Sequence, residues 1–240
     1  MEKIIYVLWR DPQMDTETFS ARLRGELTAQ LRALGVRGLQ VNVSDAAVKP
    51  AAALRQKHTQ PAMDAFLNVW VDSAIARLRK PLDEAIAAQV QKFAAYLVTE
   101  SRPLRDTQHP PRAGERTEGF AQIALLKRPA RLVYADWLDI WHNSHTDIAI
   151  ETQASFEYVQ NVVVRALSAD APVFDAIVEE CFPAGAMTDY KVFFDAPGDE
   201  QKFRRNLQRM MESVSRFIEP GTLDVVPTSQ YRMFWPGSSG

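Results

Sequence analysis

The apolar positions along the chain change period several times, and each change marks an element. Residues 4–9 are a β-favouring run and predict a strand. Asp15-Thr16-Glu17-Thr18 then offers a capping box with Asp15 or Thr16 near the N-cap. Phe19, Leu23, Leu27, Leu31 and Leu34 follow at helical spacing up to Gly35, a C-cap residue. Residues 39–43 alternate apolar and polar like a half-buried strand, whereas 49–63 lack a period and predict a long loop. Residues 65–71 are again β-rich. Residues 73–93 predict a helix broken or restarted at Pro81, and 96–99 a short strand. The stretch 102–118 carries Pro103, Pro110, Pro111 and Gly114 among mixed charges, which is the composition of a linker.

The order then begins again. Residues 120–126 predict a strand, 132–150 a helix, and 158–166 and 173–182 two strands. The run 199–218 predicts a strongly amphipathic helix with Phe203, Leu207, Met210, Met211, Val214 and Phe217 on one side. Residues 222–226 and 231–235 supply closing strand material. Strand, helix, strand, strand, helix, strand therefore appears twice. Asp64-Ala65 before one strand parallels Asp175-Ala176 before its counterpart, and Leu39-Gln40-Val41-Asn42-Val43 resembles Val159-Gln160-Asn161-Val162-Val163. This is the split βαβ order of ferredoxin-like folds. One such half leaves a sheet face uncovered, and two halves can press those faces together. The expected fold is α+β: two tandem ferredoxin-like repeats, residues 1–102 and 119–235, forming a barrel-like unit closed within one chain. Residues 103–118 would be the linker and 236–240 a disordered tail.

Composition narrows the function classes. The chain has 240 residues, 46% hydrophobic and 24% charged, which is ordinary for a soluble globular protein. A net charge of -2 gives no electrostatic case for nucleic acid or an acidic membrane surface. No apolar run approaches the length of a membrane span, and no signal peptide precedes the first strand. Cys181 is the only cysteine, so an internal disulfide is impossible and a cytoplasmic location is expected. In an apolar segment a lone cysteine reads as a small buried hydrophobe.

Unusual side chains concentrate in residues 134–145. Trp137 and Trp141 lie four apart, as do Trp141 and His145, so all three line one helix face that Ile148 extends. Indoles flanking an imidazole shield it from water, disfavour its charged form and leave a neutral ring that can accept and return a proton. The same pattern also fits a core histidine with a satisfied hydrogen bond. His142 lies three before His145, but there is no zincin Glu and no nearby cysteine or third histidine, so no metal site is expected. His58 and His109 fall in loop-like segments and read as solvated. Glu179 and Glu180 end a strand whose alternation puts one on each face, so at most one can face a pocket. Asp136 and Asp139 read as surface charges, and Arg204, Arg205 and Arg209 as a solvated stripe. Glycine-rich dinucleotide fingerprints, P-loops and nucleophile elbows are missing.

The segment Trp137-x-x-Ile140-Trp141-x-x-x-His145-Thr146-Asp147-Ile148-Ala149, followed by Phe156-Glu157-Tyr158-Val159-Gln160-Asn161, resembles the EthD-like branch of the dimeric α+β barrel superfamily. Phe174-Asp175-Ala176-Ile177-Val178-Glu179 is similar to that family's third strand. Ile140 stands where the family often has Tyr, Thr146-Asp147 replaces Ala-Pro, and Cys181 falls where Trp is usual. In the first half Phe19 and Leu23 keep the apolar face, Leu27 falls at the His position, Asn68 at the Glu position, and Trp70 keeps the Trp. The resemblance therefore implies a degenerate first half and a site in the second. It implies an apolar cavity between helices and sheet, and a cofactor-independent oxidoreductase or lyase acting on a small apolar, aromatic or phenolic metabolite. His145 would be the general base and then acid, with Glu179 or Tyr158 orienting it, and Trp137, Trp141, Tyr158 and Ile148 would contact substrate. No cofactor motif is present. A non-catalytic binding or accessory protein for a hydrophobic metabolite is the alternative, and a homodimer stays open.

Overall fold

The computed structural model describes residues 1–109 and 112–235. Eight strands carry the architecture: β1 (Glu2–Trp9), β2 (Gly38–Val43), β3 (Ala65–Val71), β4 (Lys92–Leu104), β5 (Phe120–Leu126), β6 (Glu157–Ala166), β7 (Ala176–Phe182) and β8 (Asp224–Phe234). They close into a barrel in the order β1-β3-β2-β8-β5-β7-β6-β4, and every pairing is antiparallel. The helices are α1 (residues 16–33), α2 (Ala76–Ala87), α3 (residues 134–152), α4 (Tyr190–Phe193) and α5 (Glu200–Phe217). Within the two stretches of chain the neighbours run β4-β1-β3-β2 and β8-β5-β7-β6, and the seams between them are β2–β8 and β4–β6. Among the described residues no helix is long and apolar enough to cross a membrane.

Strand periodicity sorts side chains between the barrel interior and the helix layer. Ile4, Tyr6 and Leu8 of β1 pack with Phe19, Leu23, Leu27 and Leu31 of α1, whereas Ile5, Val7 and Trp9 join Phe66, Tyr96, Ile123 and Ile177 inside. Both faces of the wall are thus covered, which explains why several strands read as continuous apolar runs. The other end of the interior is polar. Lys3 Nζ donates to Glu100 Oε2 at 2.5 Å and Asn161 Oδ1 at 2.8 Å, and Arg232 holds Glu157 at 2.5 Å. Burial pushes the Lys3 amine below its ordinary range even with Glu100 beside it. Charges this deep are tolerable because each is paired and hydrogen-bonded.

Local devices recur at matching places. The Asp64 amide donates to Leu8 O at 3.0 Å and its carboxylate accepts from Arg10 N at 3.0 Å. Asp175 does the same with Leu126 O at 2.8 Å and Arg128 N at 2.7 Å. The guanidinium of Arg10 caps the Met14 carbonyl, and that of Arg128 the Leu132 carbonyl. The second sequence echo is one residue out of step. Gln40 sits opposite Asn68, but Val159, not Gln160, sits opposite Glu179.

Several expectations need correction. The stretch expected as a loop over 49–63 begins as a 3-10 helix, Ala46–Leu54, capped by Asp45 and anchored by buried Val48 and Ala51. Its alanine-rich period is too short to register as a pattern. Pro81 sits inside α2 without ending it, and α2 stops at Ala87. Phe93 belongs to β4, which starts at Lys92 because that residue pairs with Trp9, and β4 runs on to Leu104 through pairing with β6. The closing strand is one piece, because Pro227 lies before the stretch that pairs with β2 and so interrupts only one ladder position. The expected tail, 236–240, and Pro110-Pro111 of the expected linker lie outside the described residues.

Candidate active site

Helix α3 is regular except over Trp141–His145, where it widens into a π-turn. Thr146 N bonds back to Trp141 O, and the Thr146 hydroxyl donates to the same carbonyl at 2.8 Å. Single π-turns of this kind often mark functional positions. Here the turn lies between Trp141 and His145 and turns both toward a cavity of about 700 Å³ between α3, α5 and the outer face of β5, β7 and β8. That volume is in the range of sites for drug-sized ligands. Phe193 and Phe194 of α4 and its C-terminal edge, Phe203, Met210 and Phe217 of α5, and Leu54 from the 3-10 segment of the first half all contribute walls.

The polar groups of the cavity are few. His145 is 7% exposed; its Nδ1 lies 2.9 Å from Ser213 Oγ and its ring packs on Phe217 at 4.5 Å between centroids. Burial, with the Arg216 charge adding to it, lowers the His145 pKa to about 4, so the ring is neutral at physiological pH. Glu180 faces the same cavity from β7. Burial raises its carboxyl pKa to about 7, partly offset by Gln122, whose Nε2 donates at 3.3 Å. The Tyr158 hydroxyl accepts from Trp141 Nε1 at 3.3 Å, and burial raises its pKa. Gln153 also lines the cavity, and its Oε1 has no partner among the described residues.

Of the residues singled out by sequence, the cavity gathers Trp141, His145 and Tyr158. Trp137 instead lies in the core behind it, donating from Nε1 to Phe217 O at 3.1 Å. Ile148 does not line the cavity and is half-buried. Glu179 points into the barrel, where Gln40, Asn42 and Gln230 donate to it at 2.7–2.9 Å. The sheet therefore separates Glu179 from His145, and Glu180 takes the cavity-facing place. The strand's alternation allowed either carboxylate. What decides is which face β7 shows to the helices. Cys181 is buried as expected, but beside polar groups: its thiol lies 3.6 Å from Glu157, and burial raises its pKa. His142 packs on Trp141 at 4.6 Å, outside the cavity lining. Among the described residues no three metal-binding side chains converge. Sequence reasoning missed Gln153, Ser213 and the Phe193-Phe194 pair. Only the amphipathic period of α5 hinted at any of them.

No protein-family model matches the chain, and no curated protein matches it. Among solved structures the fold is similar to that of an anthrone oxidase-like protein, at 8% identity and TM-score 0.55, over 100% of this chain and 95% of that one. It is also similar to a "Putative monooxygenase" from Fusobacterium nucleatum subsp. nucleatum, at 9% identity and TM-score 0.50, again over 100% of this chain and 95% of the other. At such identities the likeness shows the fold, a closed eight-stranded α+β barrel with helices packed outside it.

Proposed function

We propose that the chain is a tandem pair of ferredoxin-like halves, 1–102 and 119–235, whose second half is a small-molecule enzyme of EthD-like type. It acts without a cofactor on an apolar aromatic or phenolic metabolite through acid/base chemistry at His145 and Glu180. One observation carries this reading: a single apolar cavity holds an imidazole kept neutral and a carboxyl titrating near 7. Environments that push two titratable groups apart in this way are typical of acid/base pairs. A carboxylate with pKa near 7 is a better proton acceptor at neutral pH than an imidazole with pKa near 4. Glu180 therefore takes the proton from a carbon or phenolic acid, and His145 serves the substrate oxygen. Trp141 and Tyr158 flank the ring system. Oxidation of an anthrone-like ketone by molecular oxygen, in which the ring CH2 becomes a carbonyl and the second oxygen atom leaves as water, is the reaction class that the first neighbour's name favours, and a decarboxylative one is the alternative.

The test is oxygen uptake with anthrone as substrate, comparing wild type with His145→Leu and Glu180→Gln. Loss of turnover by about 10²–10⁴ in each variant, with the fold retained, is expected. Undiminished turnover in His145→Leu removes the assignment. Tight binding of anthrone without any turnover by wild type makes the protein a binder of such molecules instead.

A further inference from the structure

His145 presents two ring nitrogens, and which one carries the proton decides what the cavity offers a ligand. Nδ1 faces Ser213 Oγ at 2.9 Å. Ser213 is buried on α5, and its oxygen already accepts from Arg216 Nη2 at 3.0 Å. The same guanidinium nitrogen is steadied by Ser144 Oγ at 2.9 Å, on α3 beside His145 itself. A serine hydroxyl has one hydrogen to give. Among the described residues the one acceptor recorded for it is His145 Nδ1. Were Nδ1 to carry the imidazole proton, the Ser213 hydrogen would be buried with no acceptor, an arrangement that folded proteins avoid. A guanidinium donating to the serine oxygen also polarises its O–H and strengthens the bond to Nδ1.

We infer that the Arg216–Ser213 pair holds His145 as the Nε2–H tautomer, so that the cavity recognises ligands bearing an acceptor oxygen, a carbonyl or a phenolate, rather than a donor. Ser213 and Arg216 are positioning residues that act through His145. The inference rests on the reading of the cavity as the substrate site and extends it to the chemistry of the substrate. His145 lines the cavity and its Nδ1 is engaged by Ser213, so a neutral Nε2–H that bonds such an oxygen stabilises negative charge as it develops there. It also explains a histidine that is a poor base in a site with a better one: its task is donation.

Two measurements test this. The first needs no ligand. ¹⁵N-labelled histidine is observed by NMR at neutral pH, with the His145 signals assigned by their loss in His145→Leu. A pyrrole-type Nε2 and pyridine-type Nδ1 are expected in wild type and in Ser213→Thr, and a mixture of tautomers in Ser213→Ala. A dominant Nδ1–H tautomer in wild type overturns the inference, whatever Ser213→Ala does to folding. The second compares 9-fluorenone, which has an acceptor, with fluorene, which has none, by quenching of tryptophan fluorescence. Wild type should prefer the ketone by about tenfold. That preference should be regained in Ser213→Thr and fall below about threefold in Ser213→Ala and Arg216→Gln. Equal binding of both probes to wild type overturns the inferred preference for an acceptor oxygen. Binding of neither probe contradicts the cavity as substrate site, and the NMR result alone then decides the tautomer.

Discussion

Helices α1 and α3 have the same backbone but different contents. Each is interrupted by a π-turn, Leu23–Leu27 in one and Trp141–His145 in the other. Each turn ends on a threonine whose hydroxyl donates at 2.8 Å to the carbonyl five residues back, Thr28 to Leu23 and Thr146 to Trp141. Leu23 and Leu27 are fully buried in close-packed core. Trp141 and His145 border a cavity of about 700 Å³. The π-turn is therefore a property of the fold, and the chemistry belongs to the side chains mounted on it. The surroundings differ as well. Against α1 lies a helix of 12 residues, while α3 faces one of 18 preceded by the phenylalanine-bearing α4. Residues of this longer helix and of the sheet line the same cavity.

The strongest way to break the comparison is to exchange the residues at its centre. Placing the first half's residue in the second, His145→Leu, should abolish turnover by about 10²–10⁴ and leave the circular dichroism spectrum unchanged. The reverse exchange, Leu27→His, should create no activity, because Leu27 is fully buried among core side chains, and should lower stability by burying an unpaired ring. Stability separates the halves next. In urea titrations Leu27→Ala should cost about 2–5 kcal/mol by opening a void in packed core. His145→Ala, beside an existing cavity, should cost only about 1 kcal/mol.

The pH dependence sharpens the contrast, because the residues bounding the first π-turn, Leu23 and Leu27, carry no titratable group. Glu180 has its folded pKa raised from 4.5 to about 7, so its contribution is full at acid pH and is lost as pH rises through 7. His145 has its folded pKa lowered from 6.5 to about 4, so its contribution is full above 6.5 and is lost as pH falls through 4. The two trends oppose each other and leave wild type nearly flat between. Glu180→Gln should unmask a stability that rises with pH over this window, and His145→Leu one that falls, each by about 3 kcal/mol. Parallel slopes in the two variants would contradict the placement of both groups. The smallest effect concerns what the halves share. Thr28→Val should cost about 1 kcal/mol by denaturant midpoint, and Thr146→Val more, because Gln160 Nε2 also donates to the Thr146 hydroxyl at 2.7 Å and would lose its buried acceptor.

Much of the scaffold was legible in the chain. Phe19, Leu23, Leu27 and Leu31 mark the buried face of α1 as plainly as Trp137, Trp141 and His145 mark that of α3, since both follow from helical spacing. The π-turns were not legible, because a one-residue widening leaves an i, i+4 pattern looking regular. The family resemblance alone favours Glu179 over Glu180, because alternation fixes relative sides and leaves open which side is the barrel interior. Ser213 went unnoticed because a serine on an amphipathic helix has no pattern of its own. Its meaning depends on Arg216 one turn away and His145 across the interface.

By itself the sequence determined the two rounds of strand, helix, strand, strand, helix, strand and the aromatic face ending at His145. These depend on local spacing and on which side chains prefer burial. Only the tertiary structure decided that the eight strands close into one barrel, that Trp137 backs the cavity while Trp141 borders it, and that Glu180 and His145 share one space. Those outcomes depend on distances between segments far apart in the chain. They are also where desolvation is set, and desolvation is what moves a carboxyl up to about 7 and an imidazole down to about 4.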